Sequence, residues 1–392
     1  MNYQITSIQQ FNNSTIQQHV NSTTRQFNNS STQQLNNSTT RQLNNSTTRQ
    51  LNNSTTQQLN NSTTQQLNNS STHQHMNFTE ARTRIRPHIR HTPLEHSVLL
   101  SQMTGANVYL KLENWQLTGS FKLRGAMNKL LSIPESERQH KTFVAASTGN
   151  HAAGFAYAVQ KLGLRGEVFL PEHVSPSKLE YLRSFGVPLH FHGQDSLETE
   201  IHTRAYADKH GHILVHPYND PDIIAGQGTI GVEIAQDLPE VEAVFVPVGG
   251  GGLIAGIGGY LKSYNTDIEM VGCQPENSPE MSLSIEQGHI IEELIAQPTL
   301  SDGTAGGIEQ GAITFDLCKK LVDKFVLISE KEIANALLWL IKNRQMIVEG
   351  SAGLALATLL KNPEKYQGKN VVLIVCGRRL SYEKLRNIMD ND

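Results

Sequence analysis

The pattern of hydrophobic and polar positions changes character once along the chain. Up to residue 75 an eight-residue unit recurs, as in "NNSTTRQL" and "NNSTTQQL", with one apolar position per unit. So sparse an apolar pattern cannot bury enough surface to offset the entropy of ordering the chain, and residues 1–75 are expected to be disordered. Asn- and Gln-rich sequence of this sort also leans toward aggregation. The tract holds several N-x-[ST] triplets, but no basic head and apolar run opens the chain, so they are read as by-products of the repeat. Met76 follows directly, and the expectation is that the working protein begins there.

Beyond residue 107 the pattern alternates. Short β-branched runs predict strands at "NVYLKLE", "TFVAAS", "GEVFLP", "PLHFHG", "ILVHP", "AVFVPV", "EMVGCQ", "KFVLIS" and "VVLIVC". Amphipathic stretches between them predict helices, among them "SFKLRGAMNKLLS", "HAAGFAYAVQKLG", "SPSKLEYLRSFG", "LETEIHTRAYADKHG", "GQGTIGVEIAQDL", "KEIANALLWLIKNRQ" and "AGLALATLLKN". Strand–helix alternation predicts an α/β fold with mainly parallel sheets under helices. Several strands are apolar throughout, as strands buried on both faces should be. Ligands in such sheets lie beyond the carboxyl ends of the strands, so candidate chemistry should follow the strands directly.

Composition narrows the classes. Residues 76–392 are ample for two lobes. Three cysteines are too few for a disulfide framework and suit a reducing compartment. A formal net charge of −3 argues against nucleic acid as a main partner. There is no apolar run of the roughly 18 residues a membrane span needs. The expectation is a soluble cytoplasmic protein.

Four motifs follow four strands. "AASTGNHAAG" (145–154) turns from strand to helix through small residues, and the first-turn N–H groups favour an anion such as a carboxylate. An ordinary N-capped turn is the alternative. "FVPVGGGGLIAG" places Gly249, Gly250, Gly251 and Gly252 between a strand and a helix. Four glycines in a row are costly in backbone entropy unless something needs the missing side chains. Close approach of backbone N–H groups to a phosphate is such a need, with a flexible turn as the alternative. No Gly-Lys-[ST] follows, so it is not a Walker loop. "SFKLRGA" holds Lys122 beside Phe121, a surface charge in most contexts. "VVLIVCG" ends a strand in Cys376, either a structural cysteine or a neutral hydrogen-bond donor. A phosphate cradle, a lysine and a ring-nitrogen partner are together what pyridoxal phosphate requires.

"SFKLRGA", "ASTGNHAAGFA", "GQGTIGVEI", "VPVGGGGLIAG" and "VVLIVCG", in this order and spacing, resemble the serine/threonine dehydratase family, pyridoxal-phosphate enzymes of the tryptophan-synthase-β-like fold to which serine racemases are similar. The resemblance runs from about residue 76 to the end. It implies a large cofactor-binding domain of residues 76–141 and 219–392 and a small domain of residues 142–218. It implies that Lys122 binds pyridoxal 5'-phosphate as a Schiff base and then serves as base at the substrate α-carbon. Phe121 packs beside the ring, Asn150 bonds its 3-hydroxyl, Gly249–Gly252 with Leu253 hold the phosphate, Cys376 meets the ring nitrogen, and Glu349 lies close to the cofactor. Ser147, Thr148, Gly149 and His151 surround the substrate carboxylate, largely through backbone N–H groups.

The activity implied is β-elimination of L-threonine or L-serine to a 2-oxo acid and ammonia. With no regulatory domain after residue 392, a catabolic type is expected, and the resemblance implies a homodimer. Serine racemase, with Thr148 as a second acid, and 3-hydroxyaspartate ammonia-lyase are the enzymatic alternatives. A catalytically inactive pyridoxal-phosphate-binding protein is the other. Two departures stand out. "GRRL" follows Cys376 where many relatives carry Gly-Asn. In the place of a cation site of some relatives, Gln274 replaces an acid, leaving Ser278 and Glu280 as weak candidates for a monovalent or divalent ion.

Overall fold

The computed structural model describes residues 76–291 and 297–390; the expected disordered tract, residues 1–75, lies outside the described residues. Among the described residues ten strands form two sheets: β1 (Leu94–His96), β2 (Asn107–Lys111), β3 (Thr142–Ala146), β4 (Arg165–Leu170), β5 (Leu189–Phe191), β6 (Ile213–Leu214), β7 (Ala243–Pro247), β8 (Glu269–Pro275), β9 (Lys324–Ile328) and β10 (Asn370–Ile374). The larger sheet has the order β1-β2-β10-β7-β8-β9 and the smaller the order β5-β4-β3-β6. β1 runs antiparallel to β2, and the other pairings are parallel. The strands expected from the apolar runs all form. β1 carried no such run: its three residues, Leu-Glu-His, are only partly covered at the sheet edge.

The helices that build the site are α1 (Lys122–Ser132), α2 (Asn150–Leu162), α3 (Pro176–Arg183), α4 (Ser196–His210), α5 (Pro221–Asp237), α6 (Gly252–Tyr264) and α7 (Gly350–Lys361). Each sheet has its own core. Val108, Leu110, Phe245, Val271 and Leu373 belong to the first, and Phe143, Phe155 and Val168 to the second. All five residues of β7 are buried, which explains why "AVFVP" is apolar at every position. Segment 76–141 serves both cores, because β1 and β2 join the large sheet while Leu123, Met127 and Leu130 of α1 pack into the second core.

A buried ionic cluster pins α1 to the large sheet. Arg124 bonds Glu113 at 2.8 Å and Glu233 of α5 at 2.8 Å, and Lys111 of β2 bonds Glu233 at 2.7 Å. Burial lowers the basicity of Arg124, but Glu113 and Glu233 more than offset it and the net direction is upward. Burial likewise raises Glu233, and the two cations overcome it to bring this carboxyl down to about 2. Among the described residues, no helix is long and apolar enough to cross a membrane.

Candidate active site

Lys122 is the first residue of α1, just past the large sheet. Its Nζ donates to the carbonyl of Pro217 at 3.0 Å and lies 5.2 Å from the centre of the Phe121 ring. Phe121 N–H donates to Cys376 O at 3.1 Å, so the lysine and the end of β10 are held together through the backbone. Desolvation brings the Lys122 amine down to about 8, with Glu349 and Cys376 opposing it. Gly154 of α2 explains how a second helix comes so near, since a Cβ there would sit 2.9 Å from Leu123 N.

The glycine run joins β7 to α6. Gly251 adopts φ +84°, a left-handed conformation that favours glycine, and caps α6 without a side-chain bond among the described residues. A Cβ at Gly250 would stand 2.4 Å from the Tyr218 ring, and one at Gly249 2.9 Å from Thr304. Leu253 is buried in the first turn. Bare backbone N–H groups at a helix start are suited to an anion.

The loop after β3 ends in Gly149, the N-cap of α2, which also lacks a side-chain cap among the described residues. Ser147 Oγ accepts from Gly149 N–H at 3.2 Å, and Ser147 N–H donates to Phe169 O at 3.3 Å. Open space lies before the loop: a Cβ on Gly149 would meet nothing within 4 Å. Thr148 lines a cavity of ≈ 270 Å³ with His173, Ser175, Lys178 and Asp195. The His151 ring turns the other way. Its Nε2 lies 2.7 Å from Val215 O, which requires a proton on that nitrogen, and the bond anchors α2. Desolvation, with Lys122 next, takes the His151 ring down to about 3.

Glu349, the N-cap residue of α7, collects three donors. They are Asn150 Nδ2 at 2.8 Å, Cys376 Sγ at 3.5 Å and Arg379 N at 3.3 Å. Gly377 makes room for it, because a Cβ there would lie 2.5 Å from Glu349 Oε1. Burial raises the Glu349 carboxyl, and the Asn150, Cys376 and Arg379 bonds pull against that. Burial also raises the Cys376 thiol well above its usual range, with the Glu349 charge adding to it, so the sulfur stays protonated. Its single S–H points at Glu349 here. Asn150 Oδ1 is buried with no hydrogen-bond partner among the described residues.

The cation candidates form a separate group at the end of β8. Ser278 Oγ donates to Glu280 at 2.6 Å, and Gln274 Oε1 accepts from Ser282 N at 2.8 Å. Burial raises the Glu280 carboxyl, with the Ser278 bond opposing it. Among the described residues, no group of three or more His, Cys, Asp or Glu side chains is arranged to hold a metal ion.

The structure adds residues that sequence reasoning missed. Tyr218 covers the glycine run, and its hydroxyl accepts Glu309 N–H at 2.9 Å. His216 Nδ1 accepts from Tyr218 N and Asn219 N, so its Nε2 carries the proton and meets Glu309 Oε2 at 3.2 Å. The available signal was "HPYND", lying between β6 and α5, just where a strand-end loop should serve a ligand.

Residues 85–377 match the family described as pyridoxal-phosphate dependent enzymes. An L-threonine ammonia-lyase of Thermotoga maritima is 41% identical over 79% of this chain and 77% of its own length. A solved structure, the processed form of threonine deaminase isoform 2 from Solanum lycopersicum, superposes with a TM-score of 0.74 at 32% identity, covering 80% of this chain and 92% of that one. Maize serine racemase reaches the same TM-score of 0.74 at 28% identity, covering 80% of this chain and 96% of its own. With this likeness along most of its length, the chain belongs to the pyridoxal-phosphate dependent enzymes.

Proposed function

We propose that this protein eliminates water from L-threonine, and from L-serine as a smaller relative, to give ammonia and a 2-oxo acid. The observation that carries the reading is that Asn150 and Cys376 both bond Glu349 while Phe121, next to Lys122, bonds the Cys376 carbonyl, in a chain 41% identical to an L-threonine ammonia-lyase. Residues 76–141 and 219–392 then form the cofactor-binding domain and residues 142–218 the small domain. Three free, buried cysteines suit a reducing compartment, and we take the enzyme to be a cytoplasmic homodimer.

The residues present fit pyridoxal phosphate on three counts. The glycine loop opens onto an uncapped helix start, which suits the phosphate. Asn150 Oδ1, buried and unpartnered among the described residues, is an acceptor for the ring hydroxyl. Cys376 stays protonated and carries one S–H, a neutral donor that would serve the ring nitrogen. When bound, the cofactor supplies an aldehyde for amines and an electron sink for the α-carbon.

The protein's own groups do the rest. Lys122 Nζ, lowered to about 8, is a usable base near neutral pH and takes the α-proton. The first-turn N–H groups of α2 and the Ser147–Gly149 loop orient the substrate carboxylate. Loss of the α-proton and the β-hydroxyl releases one water and an enamine. Its imine tautomer takes a water back to yield ammonia and, from threonine, 2-oxobutanoate. The test is the purified protein with pyridoxal phosphate and L-threonine, assayed together for a substrate-dependent absorbance change and for 2-oxobutanoate. Both signals support elimination. A spectral change without any 2-oxo acid from threonine or serine overturns it.

A further inference from the structure

The two arginines of "GRRL" have different surroundings. Arg378 is exposed and lies along Gly119, whose carbonyl accepts its N–H at 3.0 Å. Arg379 turns inward and stacks, its guanidinium carbon 3.4 Å from the centre of the Tyr181 ring. Its Nη2 donates to Thr118 O at 3.3 Å, while Nε is buried with no hydrogen-bond partner among the described residues. Burial lowers the basicity of this guanidinium, while Tyr181 and Glu349 oppose that, and the face of the Tyr181 ring lies directly against it.

That ring leads back to the site. Tyr181 sits on α3, edge-on to Phe185 at 4.9 Å, and Phe185 meets Tyr157 of α2 edge-on at 6.4 Å. Helix α2 starts at Asn150, which bonds Glu349. The backbone N–H of Arg379 bonds the same Glu349. Arg379, just beyond β10, thus touches both the carboxylate and α3, the helix packed on the one that Asn150 heads. We propose that Arg379 is a positioning residue, whose stack on Tyr181 holds α3 and α2 against the large sheet so that Asn150 meets Glu349. The inference rests on the proposed role of that pair at the cofactor, yet its test does not require turnover.

The test is hydrogen exchange of the full chain with cofactor and without substrate, followed at residues 147–152 and 176–183, with KM and kcat for L-threonine measured alongside. Tyr181→Leu and Arg379→Met keep apolar bulk and remove the stack. Each is expected to speed exchange in both segments, and to raise KM, by about tenfold, with kcat changed less than about twofold. The double variant should be no worse than the worse single one, and Tyr181→Phe, which keeps the ring but loses the hydroxyl that also supports Arg379, should stay closer to wild type than Tyr181→Leu. Arg379→Lys, which keeps the charge but not the flat face, should behave like Arg379→Met. Unchanged exchange in the Arg379 variants overturns the proposal, as do additive effects in the double variant. A raised KM without faster exchange would place Arg379 on the substrate and overturns it too. A protein that turns over no hydroxyamino acid strikes the elimination reading alone, since exchange still decides this one.

Discussion

Asn150 Nδ2 donates to Glu349 Oε2 at 2.8 Å across 199 positions of sequence, joining the start of α2 to the start of α7. Because Glu349 also accepts the Arg379 N–H, it faces Asn150 as an acceptor and fixes which end of the Asn150 amide meets it. The oxygen of Asn150 is left without a partner among the described residues, and in the proposed function it serves the cofactor.

Glu349→Gln should undo this assignment, since a glutamine can offer either end of its own amide. Cofactor affinity is expected to fall about tenfold, the worth of one charge-assisted hydrogen bond. Equilibrium dialysis of pyridoxal phosphate measures it, and unchanged affinity would refute the orienting role. Stability provides a second readout. The Glu349 carboxyl is raised by burial, so its contribution is full below pH 4.5 and is lost as pH rises through the folded value. The glutamine variant lacks this loss and should gain on the wild type in thermal melts as pH rises.

Lys122 should capture the cofactor with an inflection near pH 8 rather than near 10.5. Below that point the amine is protonated and the rate falls about tenfold per pH unit. Borohydride trapping followed by peptide mapping, repeated across pH, gives both the site and the inflection. A label elsewhere, or an inflection near 10.5, would contradict the desolvated amine.

Cys376 is expected to tolerate serine, another neutral donor, with elimination retained within about threefold. Aspartate at this position would hold the ring nitrogen protonated and strengthen the electron sink, giving the proton at the α-carbon more time to return. The ratio of α-proton exchange in D2O to 2-oxobutanoate formed should rise about tenfold in Cys376→Asp, a change of one pKa-sized increment in free energy. An unchanged ratio would remove the thiol from the control of outcome.

Much of this arrangement was legible in the sequence, because parallel strands announce themselves as apolar runs and the site follows their ends. "VPVGGGG" declares both β7 and the loop after it. What was not legible depends on pairings between distant segments. Glu349 could be named as an acid near the cofactor, but its bond to Asn150 exists only once two sheets meet. Tyr218 went unnoticed because nothing in "HPYND" shows that Gly250 will lie under its ring. Arg124 was visible inside "KLRGA" without its two carboxylates, which come from residues 113 and 233.

That arginine supports a stability prediction. Arg124→Met leaves Glu113 and Glu233 buried with Lys111 as the remaining cation, and should cost about 3–5 kcal/mol. Glu233 is depressed to about 2, so its contribution is full above pH 4.5 and is lost as pH falls toward 2. The gap between wild type and variant in urea titrations should therefore narrow across that acid range. A gap independent of pH would mean that the cost is packing and not charge.

Thr148 separates the two catalytic readings of the site. It lines a cavity with His173, Ser175, Lys178 and Asp195, and in the racemase reading its hydroxyl would be the second acid that returns a proton to the α-carbon. Racemisation needs that second acid, whereas elimination needs only the lysine and a leaving hydroxyl. The extra methyl of threonine restricts its rotamer and makes it a poorer proton donor than a serine would be. Thr148→Ala should leave 2-oxobutanoate formation within about threefold of wild type while any interconversion of L- and D-serine drops about a hundredfold, the usual contribution of a positioned acid. Chiral chromatography and a 2-oxo acid assay on the same sample decide between them. Equal loss of both activities would make Thr148 a binding residue for the substrate carboxylate, and the racemase reading would lose its acid.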